Sequence, residues 1–201
     1  MMIWVWALLW VTTATVVSVG GATIVRRRYS TETLSKNNEV AGFIYAVLGV
    51  IYAVLMASLL IASWEHYAEA ESVAGHEAAG IGDIYRDAAA LDPALGAELQ
   101  ASLRAYTKAV IDDEWRTMSG GDVSELGELR GVWDVIHDVE PVTAREAAWY
   151  SEILSRMNDV ADYRQARLQS AEQRLPALVW FMLFVGGVVV VGFSYLFGTK
   201  N

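Results

Sequence analysis

Three long uncharged apolar stretches, residues 3–25, 41–64 and 175–197, constrain this chain more than any other feature. Each is long enough as a helix to cross a hydrocarbon core of roughly 30 Å. A segment in lipid must satisfy its backbone hydrogen bonds internally, so the three stretches are expected to be transmembrane helices. The expected fold class is therefore all-α: an integral membrane protein with three transmembrane helices and a helical extramembrane bundle continuous with them. Residues 1–40 would form the first transmembrane helix and a basic loop, and 41–64 the second helix. Residues 65–174 would form the helical bundle, and 175–201 the third helix with a short tail.

The charge is sharply partitioned. Residues 65–174 carry 22 Asp/Glu against 10 Lys/Arg, a formal charge of −12, while the rest of the chain is net basic. An acidic segment of this kind is a poor nucleic-acid binder, because phosphate affinity rests on Lys and Arg. It concentrates cations near its surface instead. The chain contains no cysteine, which excludes disulfides, thiolate chemistry and Cys-based metal sites. The first apolar stretch lacks a preceding basic residue and is too long for a typical signal-peptide core, so it reads as a retained helix.

Orientation follows from the connection between the first two spans, which holds Arg26, Arg27, Arg28 and Lys36. Short basic loops stay cytoplasmic, which places residues 65–174 on the extracytoplasmic face of a bacterial plasma membrane. Trp4, Trp6, Trp10, Trp64 and Trp180 suit interfacial belts. Arg164, Arg167 and Arg174, just before the third span, argue for the reverse orientation.

The acidic segment reads as helical throughout. No breaker ends the second span, and a helix unbroken from 41 to 90 would be ~75 Å long, with a kink expected at Gly80 or Gly82. Asp92-Pro93 is a capping residue followed by proline at the first helical position. Leu95, Leu99, Leu103, Tyr106 and Val110 then recur at helical spacing toward Met118. Ser119-Gly120-Gly121-Asp122 stops that helix, and a shorter one follows through His137. Thr143 and Glu146 form a capping box for a last helix toward Arg174.

Several groups could carry function. At about 100° per residue, Glu65, Glu69, Ser72, His76, Asp83 and Asp87 fall within one stripe after the second span. They are the solvated face of a packed helix, an acidic vestibule leading to an ion path or, least favoured, a set that ligates a divalent ion with His76, which would also give the stripe a group titrating near neutrality. His76-Glu77 begins like the zincin signature, but Gly80 stands where the second histidine belongs, so the metalloprotease reading fails and no metal residue is assigned. Glu77, Arg86, Glu114, Arg156, Arg164 and Arg167 are candidates for interhelical ion pairs, which specify register more reliably than they stabilise. Glu114 is the member of the Asp112-Asp113-Glu114 run expected to turn inward, because Trp115 follows it. Within the second span, Tyr45, Gly49, Tyr52, Met56 and Ser63 share a face that could line a pore or pack against a neighbouring helix. Gly186, Gly187 and Gly192 read the same way. No charge lies inside a span, which weighs against a proton-coupled transporter. With no phosphate-cradling loop, nucleophile elbow or histidine pair at ligand spacing, the chain is expected to be neither an enzyme nor a cofactor carrier.

Trp64-Glu65 with Tyr67, Glu77-Ala78, Tyr85-Arg86, Tyr106, Val110, Glu114-Trp115, Arg167-Leu168 and Pro176 with Trp180 together resemble the pattern of a bacterial membrane family described as bestrophin-like. The likeness extends over about 41–197, and the order and spacing of short motifs carry it. The resemblance implies an ion channel assembled as a homo-oligomer around a central axis, with inorganic ions and the lipid bilayer as its partners. Two departures stand out. Similar proteins continue into a fourth hydrophobic helix whereas this sequence stops at Asn201, as a truncated version would. Bestrophins also keep their helical region in the cytoplasm, whereas the arginine loop here places it outside. Anion selectivity is therefore not carried over, and the −12 segment favours cations. The alternative is a non-conducting sensor or scaffold that binds a partner through its outer helices.

Overall fold

A computed structural model describes residues 2–36, 38–120, 127–173 and 175–198. Every regular element among them is helical, and the chain divides into two compact units. One comprises Met1–Ala62 with Leu175–Asn201, the other Ser63–Arg174.

The first unit contains α1 (Met2–Arg28), α2 (Thr31–Ser35), the opening half of α3 (Asn38–Asp87) and α8 (Ala177–Ser194). Among the described residues, three helices are long and apolar enough to cross a membrane, and the C-terminal apolar stretch falls on α8. Large apolar side chains such as Trp4, Leu8, Phe43, Ile61, Phe181 and Phe184 are exposed along these elements, the surface expected of helices that face lipid or other protein. Hydroxyls on such a surface need partners. Thr12, Thr13, Thr15 and Thr23 find them on their own helix, donating to the carbonyls of Leu8, Leu9, Val11 and Val19 at 2.7–2.8 Å.

Close approach accounts for Gly186 and Gly187 of α8, both of which meet Tyr52, but not for Gly192, which has nothing within 4 Å. Tyr52 on α3 lies against Gly186, where an added Cβ would stand 2.8 Å from the ring, and its hydroxyl donates to the Leu183 carbonyl at 3.2 Å. Tyr45 meets Phe197 edge-on, with centroids 5.5 Å apart. The Asn38 side chain clamps Gly198, donating to its carbonyl at 2.8 Å and accepting from its amide at 3.2 Å.

The second unit contains the rest of α3, a 3₁₀ turn at Ala88–Ala90, α4 (Pro93–Ala109), α5 (Trp115–Thr117), α6 (Gly127–His137) and α7 (Ala144–Glu172). The start signals act as the residue types dictate. Asp92 accepts from the Ala94 amide at 2.9 Å, with Pro93 at the first helical position. Thr143 accepts from the Glu146 amide at 3.1 Å, while the Glu146 carboxylate accepts from the Thr143 amide at 3.2 Å. The stripe on α4 contributes Leu99, Leu103 and Tyr106 to a core completed by Val132 and Ile136 of α6, Ile153, Met157 and Val160 of α7, and Ile84 of α3. Leu95 packs at its edge.

The hydrogen-bonded helix α3 runs through Gly80 and Gly82 to Asp87, continuing the second span without a break. Gly80 serves close packing, since a Cβ there would stand 2.7 Å from Val160 Cγ2 on α7. The helix expected from Pro93 to Met118 is interrupted by a π-helical turn at Val110–Glu114, in which the Trp115 amide reaches back to the Val110 carbonyl. Of the expected breaker, Gly121 and Asp122 lie outside the described residues.

Candidate functional site

Inside the second unit, four helical segments bring four charged side chains and a phenol to one point. Glu77 comes from α3, Glu114 from the π turn, and Arg164 and Arg167 from α7. Tyr106 comes from α4. Glu77, Glu114 and Arg167 are each 3 % exposed and Tyr106 is fully buried. Charged groups this deep are tolerated only when paired and hydrogen-bonded.

Here the pairing is nearly complete. Arg167 Nε donates to Glu77 Oε2 at 2.6 Å, and its Nη2 donates to Glu77 Oε1 at 3.1 Å. The same Nη2 also donates to Glu114 Oε1. Arg164 grips the other oxygen of Glu114, with Nε at 3.0 Å and Nη2 at 2.6 Å from Oε2. The Tyr106 hydroxyl donates to Glu77 Oε1 at 2.8 Å. Two carboxylates thus balance two guanidiniums, and every carboxylate oxygen has a donor.

Protonation states follow from this arrangement. Burial, and then the adjacent Glu77 carboxylate, push the Tyr106 phenol far above its ordinary range, so it stays protonated and donates to Glu77. Burial opposes the charge on Arg167, but its hydrogen bonds to Glu77 and Glu114 outweigh that and raise its pKa.

The π turn has a geometric role in the site. Closing the turn from residue 110 to 115 brings Trp115 back nearly over Val110, where a regular α-turn would carry it farther round. Trp115 then places its ring 5.4 Å from the Arg167 guanidinium, and Met118 Sδ lies 3.3 Å from Arg167 Nη1.

The remaining sequence candidates are distributed as follows. Glu65 and Glu69 are exposed, as is Ser63. His76 stacks on Tyr163 of α7, with centroids 5.1 Å apart, and its Nδ1 lies 2.7 Å from the Ser72 carbonyl. Asp83 and Asp87 face α7 at Arg156. Arg156 Nη1 lies 2.5 Å from Asp83 Oδ2, and its Nε lies 3.3 Å from Asp87 Oδ2 and 2.8 Å from Glu152 Oε1. The Asp87 contact has ion-pair distance without hydrogen-bond alignment, so its buried oxygen keeps the Coulombic partner but no directed bond. Arg86, expected to pair between helices, instead joins Asp83 one turn back on α3 and stays largely exposed. An exposed long side chain reaches its i−3 neighbour at less entropic cost than a distant helix. Tyr45 and Tyr52 lie against α8-side residues, as described above. No group of three His, Asp or Glu side chains suited to a metal occurs among the described residues.

Sequence reasoning brought Glu77, Glu114, Arg164 and Arg167 forward as ion-pairing residues but missed the roles of Tyr106, Met118, Trp115 and Tyr163. A signal for Tyr106 existed: it is the one hydroxylated member of an otherwise aliphatic stripe, and a buried tyrosine usually requires an acceptor. Nothing in the local sequence announces the π turn.

No curated protein and no solved structure matches the chain. The model of the bestrophin-like domain matches residues 11–201. That match takes in most of the first apolar helix, all of the other two and the whole charged network, and the chain therefore belongs to the bestrophin-like domain family.

Proposed function

We propose that this chain is a subunit of a homo-oligomeric ion-conducting membrane protein of the bacterial plasma membrane. Membership of the bestrophin-like family carries the reading. The three apolar helices are in keeping with it.

The pathway favours cations over anions. The reason is the −12 charge of residues 65–174, which raises local cation concentration. Within the acidic stripe, Glu65 and Glu69 are exposed and closest in sequence to the second span. They are the residues assigned to an outer vestibule, whereas Asp83 and Asp87 already neutralise Arg156. The basic loop at Arg26, Arg27 and Arg28 supports an extracytoplasmic location for residues 65–174.

The test is flux through purified oligomer in liposomes, with K⁺, Na⁺ and Cl⁻ gradients imposed separately. Cation flux should exceed Cl⁻ flux, and Glu65→Gln with Glu69→Gln should lower that preference several-fold. Absence of flux in every gradient from folded oligomer would overturn the channel reading and leave a sensor or scaffold that acts through its helical unit.

A further inference from the structure

The strongest unassigned feature is an open cavity beside the buried network, with a volume of about 320 Å³. Its walls include Tyr67, Ala70, Ala74, Trp115 and Ala171, with polar groups from Arg167, from Glu71 and from Ser170, whose hydroxyl already donates to the Ala166 carbonyl. This size is near the lower end of small-molecule sites, and apolar walls with few polar groups are their usual composition.

Arg167 carries five N–H donors. Its Nε and Nη2 are directed at Glu77 and Glu114. The acceptor found by Nη1 is the Met118 sulfur at 3.3 Å, and a thioether is a weak acceptor. A side chain only 3 % exposed thus lines a cavity with a donor pair held by a poor partner. Such a donor gains more from an oxygen acceptor than from sulfur.

Charge decides what kind of oxygen fits. Glu77 and Glu114 already neutralise Arg167 together with Arg164, and Glu71 adds an exposed carboxylate to the cavity wall. An anion would meet no surplus positive charge there. The alanines and the exposed rings of Tyr67 and Trp115 offer apolar area to a hydrocarbon body.

We propose that this cavity binds an uncharged amphiphile whose ester or amide carbonyl oxygen accepts from Arg167 Nη1 and whose apolar part lies against Trp115 and the alanines. The inference stands apart from the channel reading, because it rests on the cavity alone. Two sources present this chemistry: a neutral glycerolipid from the bilayer and a water-soluble ester.

The test uses the full chain in an ester-free amphipol, with thermal unfolding followed as ligand is titrated. Monooleoylglycerol represents the lipid source, monobutyrylglycerol the soluble source, and oleate the anionic counterpart. A saturable rise in Tm with monooleoylglycerol alone identifies a bilayer lipid, and an equal rise with monobutyrylglycerol identifies a soluble ester; both support the site. Ala74→Phe fills the cavity and should abolish the rise. Met118→Leu removes the sulfur at little change of volume, so the ester should bind about fivefold tighter, the effect of roughly 1 kcal/mol in one hydrogen bond. The proposal is overturned if neither ester gives a saturable rise, if oleate binds more tightly than the esters, or if Met118→Leu leaves ester affinity unchanged or weaker.

Discussion

Replacing Arg167 by methionine tests whether the buried network is a balanced electrostatic unit or a set of incidental contacts. The substitution keeps an apolar stem of similar length but removes three hydrogen bonds to carboxylates, two on Glu77 and one on Glu114. Glu114 retains Arg164, and Glu77 retains only the Tyr106 hydroxyl. One buried carboxylate is then uncompensated, a change that costs about 3–5 kcal/mol. At roughly 3–4 °C per kcal/mol for a unit of this size, Tm should fall by about 10–20 °C. The informative comparison is the triple variant Glu77→Leu, Tyr106→Phe, Arg167→Met, which removes the carboxylate, its phenol donor and the guanidinium together while leaving the Glu114–Arg164 pair. Apolar replacement of a whole buried set is often neutral or stabilising, so the triple variant should return to within about 2 kcal/mol of the parent. Far-ultraviolet circular dichroism melts of the detergent-solubilised chain measure both. The reasoning is refuted if the single substitution costs less than about 1 kcal/mol, or if the triple variant is less stable than the single.

Three further outcomes follow from individual contacts. Tyr106→Phe should cost about 1–2 kcal/mol at neutral pH through the lost bond to Glu77. Because the folded phenol titrates well above its unfolded value, this contribution is complete below about pH 10 and declines by about 1.4 kcal/mol per pH unit above it. The stability gap between the parent and Tyr106→Phe should therefore narrow on the alkaline side; a constant gap in melts from pH 8 to 11 would contradict the assignment. Gly186→Ala places a methyl 2.8 Å from the Tyr52 ring and should cost about 1–3 kcal/mol by overpacking, whereas Gly192→Ala, with nothing within 4 Å, should be close to neutral in the same melts. Thr143→Ala removes one half of the capping box at the start of α7 and should lower stability by about 1 kcal/mol, with the Ser variant restoring most of it.

The fold was readable wherever a local rule was sufficient. An uncharged run of more than 20 residues leaves the backbone few options, and the three apolar stretches became helices for that reason. Asp92-Pro93 and Thr143 with Glu146 act through atoms two or three residues away, so their outcome does not depend on the rest of the chain. Gly80 is the contrasting case. Its composition cue marks only a weak helix former, whereas the contact that uses its missing side chain is with Val160, 80 residues further along. Sequence spacing carries no information about that neighbour.

The site shows the same limit more sharply. Residue type alone marked Glu77, Glu114, Arg164 and Arg167 as groups that must find counter-charges, since a helical segment rich in alanine and leucine cannot hold them inside otherwise. It did not choose the partners. Asp83 and Glu77 are separated by six positions on one helix, yet Asp83 joins Arg156 at the edge while Glu77 joins Arg167 in the core. Six residues turn a helix by about 600°, or 240° net, so the two carboxylates face different neighbours, and only packing against α7 determines which arginine each meets. The π turn then supplies what neither periodicity nor charge could reveal. An extra residue in the turn costs regular hydrogen bonding while placing Glu114, Trp115 and Met118 all on Arg167. A local irregularity that concentrates three contacts on one buried cation is better explained by the requirements of that cation than by the preferences of Val110–Glu114 themselves.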